Sequence, residues 1–347
     1  MIKAQIKKEE ENGNQNEELK KLVLLRDIQD SYARYKKPHS FALYKAINGN
    51  ICIIYSGNDY RIICYDLCLK QLISQMKLKI GVINIFHVLD IKNKRDLIML
   101  EHAKSLRVFD ARNMEFIFNL KITGELIQTS FMFVNKNLIT NIMVVLKKFF
   151  HNYNQIYIYN LQLSLIKHIK STSTIITNYV SLFYNKVLNE DMILTGNINN
   201  IKIFRNTLNN EKNLKNNKEV YKVYSDSKRE NDFIVNHIVY VDDDKNIKIL
   251  ASSYDNIIRI WDYNSKKLLS KISNENSEVN CIFLLNEKYL LAGRNAINIG
   301  NKTVVKDYIK HDKEIITMKT IICENEGELL VTQGCNDGRI KVWKIEN

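Results

Sequence analysis

The sequence predicts an all-β chain built as seven four-stranded sheets arranged in a ring. Three observations predict it. A short β-branched and aromatic unit returns seven times along the 347 residues. Apolar, strand-like runs fill the intervals between its copies. The strand count is one too high at the front and one too low at the back, as in a ring that joins its own ends.

The returning unit is a tight polar turn, then β-branched and aromatic residues, then Asp or Asn. Its copies are Arg61-Ile-Ile-Cys-Tyr-Asp66, Leu106-Arg-Val-Phe-Asp110, Gln155-Ile-Tyr-Ile-Tyr-Asn160, Ile201-Lys-Ile-Phe-Arg205, Ile258-Arg-Ile-Trp-Asp262, Ile297-Asn-Ile-Gly300 and Arg339-Ile-Lys-Val-Trp-Lys344. Aligned on the aromatic position they fall at Tyr65, Phe109, Tyr159, Phe204, Trp261, Gly300 and Trp343. The gaps are 44, 50, 45, 57, 39 and 43 residues, each the size of one four-stranded sheet with its turns. Between the copies lie short runs rich in Ile, Val, Leu and aromatics, such as 70–77, 81–89 and 96–100. Many are apolar at consecutive positions, which suits sheets buried on both faces. The chain ends after the third strand of the seventh unit, while Leu22–Ile28 is a spare strand upstream of the first. Placed in the last sheet, it removes an open edge.

At Tyr254-Asp-Asn-Ile-Ile-Arg-Ile-Trp-Asp262 and Asn336-Asp-Gly-Arg-Ile-Lys-Val-Trp-Lys344 the chain resembles the WD40-repeat family. In that family an Asp in the turn between the second and third strands lies six residues before the Trp. Asp255 and Trp261 keep that spacing, as do Asp337 and Trp343, and Asp59 keeps it with Tyr65. The resemblance runs from about Leu22 to Asn347 and is strong in these three repeats. It implies a seven-bladed WD40-type β-propeller over 19–347, its ring closed by the N-terminal strand completing the last blade. It also implies a structural hydrogen-bond network of Asp, His, hydroxyl and Trp. His311 and His39 sit where the His would fall, and Ser252 and Thr332 lie near, not at, the hydroxyl position. On this reading Asp59, Asp255, Trp261, His311, Asp337 and Trp343 are structural residues.

Composition bounds the function. Hydrophobic residues make up 45% of the chain, enough for a sizeable core. One proline and eleven glycines are few for an all-β chain, with Asn, Lys and Ile in their place. The net charge is +13, but Lys outnumbers Arg 40 to 11. Arg is the residue suited to bidentate phosphate and base recognition, so the excess fits compositional drift as well as a binding surface. The six cysteines are scattered and read as reduced thiols of a cytoplasmic or nuclear protein. No secretory signal and no apolar run near the ~20 residues of a membrane span is visible, so no membrane association is expected.

The usual motifs of chemistry are not found. There is no glycine-rich phosphate loop and no nucleophile elbow. Cys64 and Cys68 lack a second ligand pair, so no metal is expected. His87 and His237 lie in apolar runs and read as core residues, and Asp242-Asp-Asp244 reads as a hairpin turn. No two arginines are adjacent, which argues against the paired-arginine phosphoinositide site of related propellers. The expectation is a non-catalytic scaffold that binds other proteins in a multiprotein complex, without cofactor or small-molecule substrate. Its contact surface is the set of loops around the channel mouth: Asn58, Asp59, Tyr60, Lys147, Lys148, Phe149, Phe150, His151, Tyr254 and Asn336. The segment Leu146–Asn154 mixes cations with aromatics, a composition that suits peptides or single-stranded RNA. An RNA-associated accessory subunit is therefore the second reading, and an enzyme with a site at the channel mouth the third. Residues 1–18 read as a flexible charged tail and 206–218 as a low-complexity loop insertion.

Overall fold

The computed structural model describes residues 19–28, 41–56, 60–79, 81–122, 125–134, 140–147, 154–162, 165–170, 179–185, 190–197, 200–205, 219–224, 234–241, 246–253, 255–274, 279–286, 288–311, 314–334 and 339–346. His39, Asn58, Asp59, Lys148, Phe149, Phe150, His151, Tyr254, Asn336 and Asp337 lie outside them, as do segments 1–18, 206–218 and 242–244.

No helix occurs among the described residues, which form seven antiparallel four-stranded sheets. The chain opens with β1 (Lys21–Ile28). The first sheet is β2 (Phe41–Lys45), β3 (Ile51–Ser56), β4 (Arg61–Asp66) and β5 (Gln71–Lys77). The second is β6 (Asn84–Asp90), β7 (Arg95–His102), β8 (Ser105–Asp110) and β9 (Phe116–Lys121). The third is β10 (Leu126–Val134), β11 (Thr140–Lys147), β12 (Asn154–Asn160) and β13 (Leu165–Lys170). The fourth is β14 (Tyr179–Asn185), β15 (Glu190–Asn197), β16 (Asn200–Arg205) and β17 (Glu219–Tyr224). The fifth is β18 (Ile234–Val241), β19 (Ile247–Ser253), β20 (Ile257–Asp262) and β21 (Leu268–Ser273). The sixth is β22 (Ile282–Leu284), β23 (Tyr289–Ala292), β24 (Asn295–Asn298) and β25 (Val304–Val305). The seventh holds β26 (Ile315–Cys323), β27 (Gly327–Gly334) and β28 (Ile340–Glu346), and its fourth place is taken by β1.

Consecutive apolar residues in the second strands have a physical reason. All of β3 is buried, and β7 is buried from Asp96 to His102, so both faces of these strands meet neighbours. The outer strand β5 is exposed or half-buried along its whole length, as one with fewer neighbours should be.

Turn geometry corrects one assignment. In the turns after β4, β8 and β20, the residue five places beyond the aromatic position has positive φ: Lys70 at 55°, Met114 at 58° and Lys266 at 61°. After β24 the same conformation falls at Lys302, with φ 62°. The backbone bonds agree. Asp262 N–H donates to Lys267 O and Lys266 N–H to Asp262 O, and Asn298 with Thr303 and Lys302 repeats the pattern. The aromatic position of the sixth unit is therefore Ile297, not Gly300, which lies in the turn beyond the strand. No aromatic marks the place in the sequence, and only the turn geometry separates Ile297 from Gly300 three residues on. These positions normally favour glycine, and this glycine-poor chain fills them with Lys and Met.

A bulge marks the outer strand in most sheets. Pairing of third with fourth strand shifts at Cys64/Tyr65, Val108/Phe109, Ile158/Tyr159, Ile203/Phe204 and Ile260/Trp261. β1 carries the same irregularity: Leu24 pairs with Trp343 and Arg26 with Val342, so Leu25 is the extra residue. A strand from the front of the chain thus repeats the local geometry of the outer strands. Arg26 fixes it further by a two-pronged bond to Glu326, at 2.6 and 3.1 Å.

Among the described residues the core divides into seven apolar clusters, one between each sheet and the next. Ile54, Cys64, Ile85 and Leu100 join the first sheet to the second. Met192, Ile203, Ile249 and Trp261 join the fourth to the fifth. Phe41, Ile53, Val331 and Val342 join the first to the seventh. Other clusters fill the remaining junctions. The first strands touch in succession, β2 to β6, β6 to β10 and onward to β26, and β26 touches β2.

Candidate functional site

In an up-and-down four-stranded sheet, the turn between the second and third strands and the exit of the fourth strand lie at the same end. Hydrogen bonds tie these segments together here. Leu78 N–H donates to Tyr60 O at 2.9 Å, Ile122 N–H to Lys104 O at 2.9 Å and Asn274 N–H to Asn256 O at 3.0 Å. Tyr60, in the turn after β3, has φ 65° and is 46% exposed. Its ring rests against Gly81, where an added Cβ would sit 3.3 Å from the ring edge. Lys147 is the last residue of β11, paired with Leu126 and Asn154, so the connection expected over Leu146–Asn154 narrows to 148–153.

Three arginines at this end are paired with carboxylates. Arg259 is 2% exposed and sits on the same face of β20 as Trp261. Its guanidinium donates to Asp255 at 2.5 and 3.1 Å and to Ser253 Oγ at 3.0 Å. Asp255 also accepts from Ser253 Oγ at 2.6 Å and from Ile257 N–H at 3.0 Å. Burial raises its pKa, but the bonds from Arg259, Ser253 and Ile257 outweigh that and hold the carboxyl below its usual range. Arg294 lies 2.9 Å from Asp307 and Arg339 lies 3.6 Å from Asp27. Among the described residues at this end, Arg259, Arg294 and Arg339 are thus each matched by a carboxylate.

The Trp343 indole N–H donates to Thr332 Oγ1 at 3.0 Å in a buried contact. Trp343 pairs with Leu330, so Thr332 is the same-face residue two places on. In the fifth sheet Trp261 pairs with Ile249, and the equivalent place is Ala251. Ser252 is one residue off and points to the other face, so it is not the counterpart of Thr332. His311 is 4% exposed, and its carbonyl accepts from Arg294 at 3.2 Å. Replacing Thr332 with Val should leave the buried indole N–H without its acceptor and cost about 1–3 kcal/mol in urea unfolding. Thr332→Ser, which keeps the oxygen, should stay within about 1 kcal/mol of the parent.

A buried carboxyl stands at the second-to-third sheet junction. Glu101 is 0% exposed, accepts from Ser130 Oγ at 2.5 Å and from Asn84 Nδ2 at 3.3 Å. Burial pushes its pKa up to about 7, against the pull of those donors. Next to it His102 donates through Nδ1 to Gly81 O at 2.9 Å, and burial lowers its pKa. Sequence reasoning passed over Glu101 because it follows the apolar run Leu97–Leu100. It also passed over Arg259, although Asp255 four residues earlier is a signal for such a pair.

At the opposite end, between the first two sheets, Tyr44, Cys52, Cys64, Asp96 and Arg112 line a cavity of about 40 Å³. That is water-sized, far below the few hundred Å³ of a small-molecule site. His87 Nε2 is 2.9 Å from Asp96 Oδ1, and the His87 ring stacks on Tyr44 at 3.8 Å. His237 is 1% exposed and burial lowers its pKa to about 3, as suits a core histidine. No group of three or more His, Cys, Asp or Glu that could hold a metal occurs among the described residues.

Comparison with known proteins identifies the class. A family model described as "WD domain, G-beta repeat" matches residues 222–262, which span β18 to β20 and include Asp255 and Trp261. Among solved structures the chain is similar to BBS1N in complex with ARL6DN, soaked with mercury, with TM-score 0.69 and 8% identity over 94% of this chain and 98% of that one. The lead-soaked form of the same complex gives TM-score 0.69 and 7% identity over 94% and 97%. No curated protein sequence matches the chain. The protein therefore carries a WD40 repeat and has the all-β fold of a β-propeller. No helix among the described residues is long and apolar enough to cross a membrane.

Proposed function

We propose that the protein is a non-catalytic scaffold that binds other proteins within a larger assembly. Its seven sheets are the blades of one closed ring, with β1 completing the last blade. The observation that carries this reading is the set of seven apolar clusters, one at each junction, the last-to-first junction included. A ring closed in this way is rigid and presents its connecting loops as a fixed surface. A protein of similar fold, BBS1N, forms a complex with ARL6DN. Scattered cysteines in a chain long enough to need no disulfide staples suit a reducing cytoplasmic or nuclear setting.

The contact surface is the end that carries the second-to-third strand turns, with Asn58, Asp59, Tyr60, Lys147 to His151, Tyr254 and Asn336. Reversing charge at Lys147 and Lys148 should lower recovery of co-purifying partners several-fold, by quantitative mass spectrometry, and leave the melting temperature unchanged. Unchanged recovery retires the site. The net charge of +13 favours a second reading, an RNA-associated accessory subunit. RNA binding that weakens steeply with salt would support it, and RNA-free purified protein would count against it.

A further inference from the structure

We propose that Cys68 and Cys323 form a redox-sensitive disulfide that pins the seventh sheet to the first. The two sulfurs lie 3.1 Å apart although 255 residues separate them in the chain. Cys68 sits in the turn after β4 and Cys323 ends β26, so the bond would cross from one sheet to another. Bonding distance is about 2.05 Å, so closure asks for a movement of only about 1 Å.

The surroundings hold both thiols in place. Asp66 Oδ1 accepts the N–H groups of Cys68 and Leu69, both at 2.8 Å, which fixes the turn. On the other side Glu324, adjacent to Cys323, pairs with Lys45 at 2.7 Å. Lys319, on the same strand as Cys323, donates to Phe41 O at 2.6 Å. The bonds of Lys45 and Lys319 cross the same junction and align it before any covalent step.

Cys68 is half-buried and Cys323 is 2% exposed, which sets the order of attack. The oxidant is a small-molecule disulfide such as oxidised glutathione. The Cys68 thiolate attacks one of its sulfurs, the S–S bond breaks, and the released glutathione thiolate takes up the proton that Cys68 lost. The Cys323 thiolate then attacks Cys68 Sγ and expels the second glutathione, which takes the proton from Cys323. Two protein thiols are oxidised and one small disulfide is reduced to two thiols. Burial raises the Cys68 thiol to about 11, so the exchange is run in alkaline buffer.

The test treats the folded full chain with oxidised glutathione, alkylates it and digests it without reductant. The expected result is a Cys68–Cys323 peptide pair as the main oxidised product, reversed by dithiothreitol, with the melting temperature raised by roughly 5–10 °C. Cys68→Ser should abolish the pair and the rise, while Cys323→Ser should trap Cys68 as a mixed disulfide. The proposal fails if the treated parent keeps both thiols open to alkylation, stops at the mixed disulfide, or pairs either residue with Cys335. The readout on the parent protein stands even if a variant does not fold.

Discussion

Arg259→Ala is expected to lower the free energy of unfolding by about 3–5 kcal/mol, the range seen when one partner of a buried ion pair is removed. Arg259 is 2% exposed and donates to both Asp255 oxygens. Removing it leaves a carboxylate in a site with little water that has lost its cationic partner, with the bonds from Ser253 and Ile257 still in place. The Asp255 carboxyl should then lose its depressed pKa. The contribution of the pair in the parent is present above the ordinary Asp range near pH 4 and fades as pH falls through the lowered value. The variant should accordingly lose less stability on acidification than the parent. Arg259→Lys keeps the charge but not the two-pronged geometry and should fall between them. Adding Asp255→Asn to Arg259→Ala should recover part of the loss, because the unpaired charge goes. Urea unfolding of the four proteins across pH decides the matter. A loss below about 1 kcal/mol for Arg259→Ala would show that the pair contributes little.

Glu101→Gln is expected to make the protein more stable above neutral pH. The folded-state pKa of Glu101 lies near 7 against an ordinary 4.5, because burial disfavours the charge. The folded state therefore holds a proton that the unfolded state releases. Stability from this group is full below about pH 4.5 and falls as pH rises to about 7, by about 3 kcal/mol at ~1.4 kcal/mol per unit. Gln carries no titratable proton, and its amide can donate to Ser130 while its oxygen accepts from Asn84. The difference between variant and parent should grow through that window and level off above it. Parallel stability curves for the two proteins would show that Glu101 is not the titrating group.

Several features of the fold can be read from the chain because they are local. The spacing of Tyr65, Phe109, Trp261 and Trp343 marks third strands, and each falls in one. Leu22–Ile28 has the pattern of a strand and lies beside β28. Where the local mark is missing, reading fails. Ile297 has no ring to announce it, and the turn beyond it, not the strand, shows its place. The choice between Ser252 and Ala251 turns on which face a residue takes, and a shift of one position reverses that. Thr332 and Ser252 look alike in sequence, yet only Thr332 falls on the indole face. Long-range pairs leave no trace at all. Nothing in the spacing of six scattered cysteines singles out Cys68 and Cys323. The mouth residues Tyr60 and Lys147 can be placed, but most of the expected contact set lies outside the described residues.

The pairing of Lys21 with Glu346 has a consequence for how this molecule is made. Lys21–Ile28 leaves the ribosome more than 300 residues before the strand that receives it. Until that strand emerges β1 has no β28 to pair with, and six sheets can assemble while it waits. Loop closure over such a span costs little more than over half of it, because the entropy grows only with the logarithm of length. The penalty is one of time and exposure, since an unclaimed apolar edge can be captured by a neighbouring chain. Three charges within that octet, Lys21, Arg26 and Asp27, guard it against such capture until Ile340–Glu346 emerges.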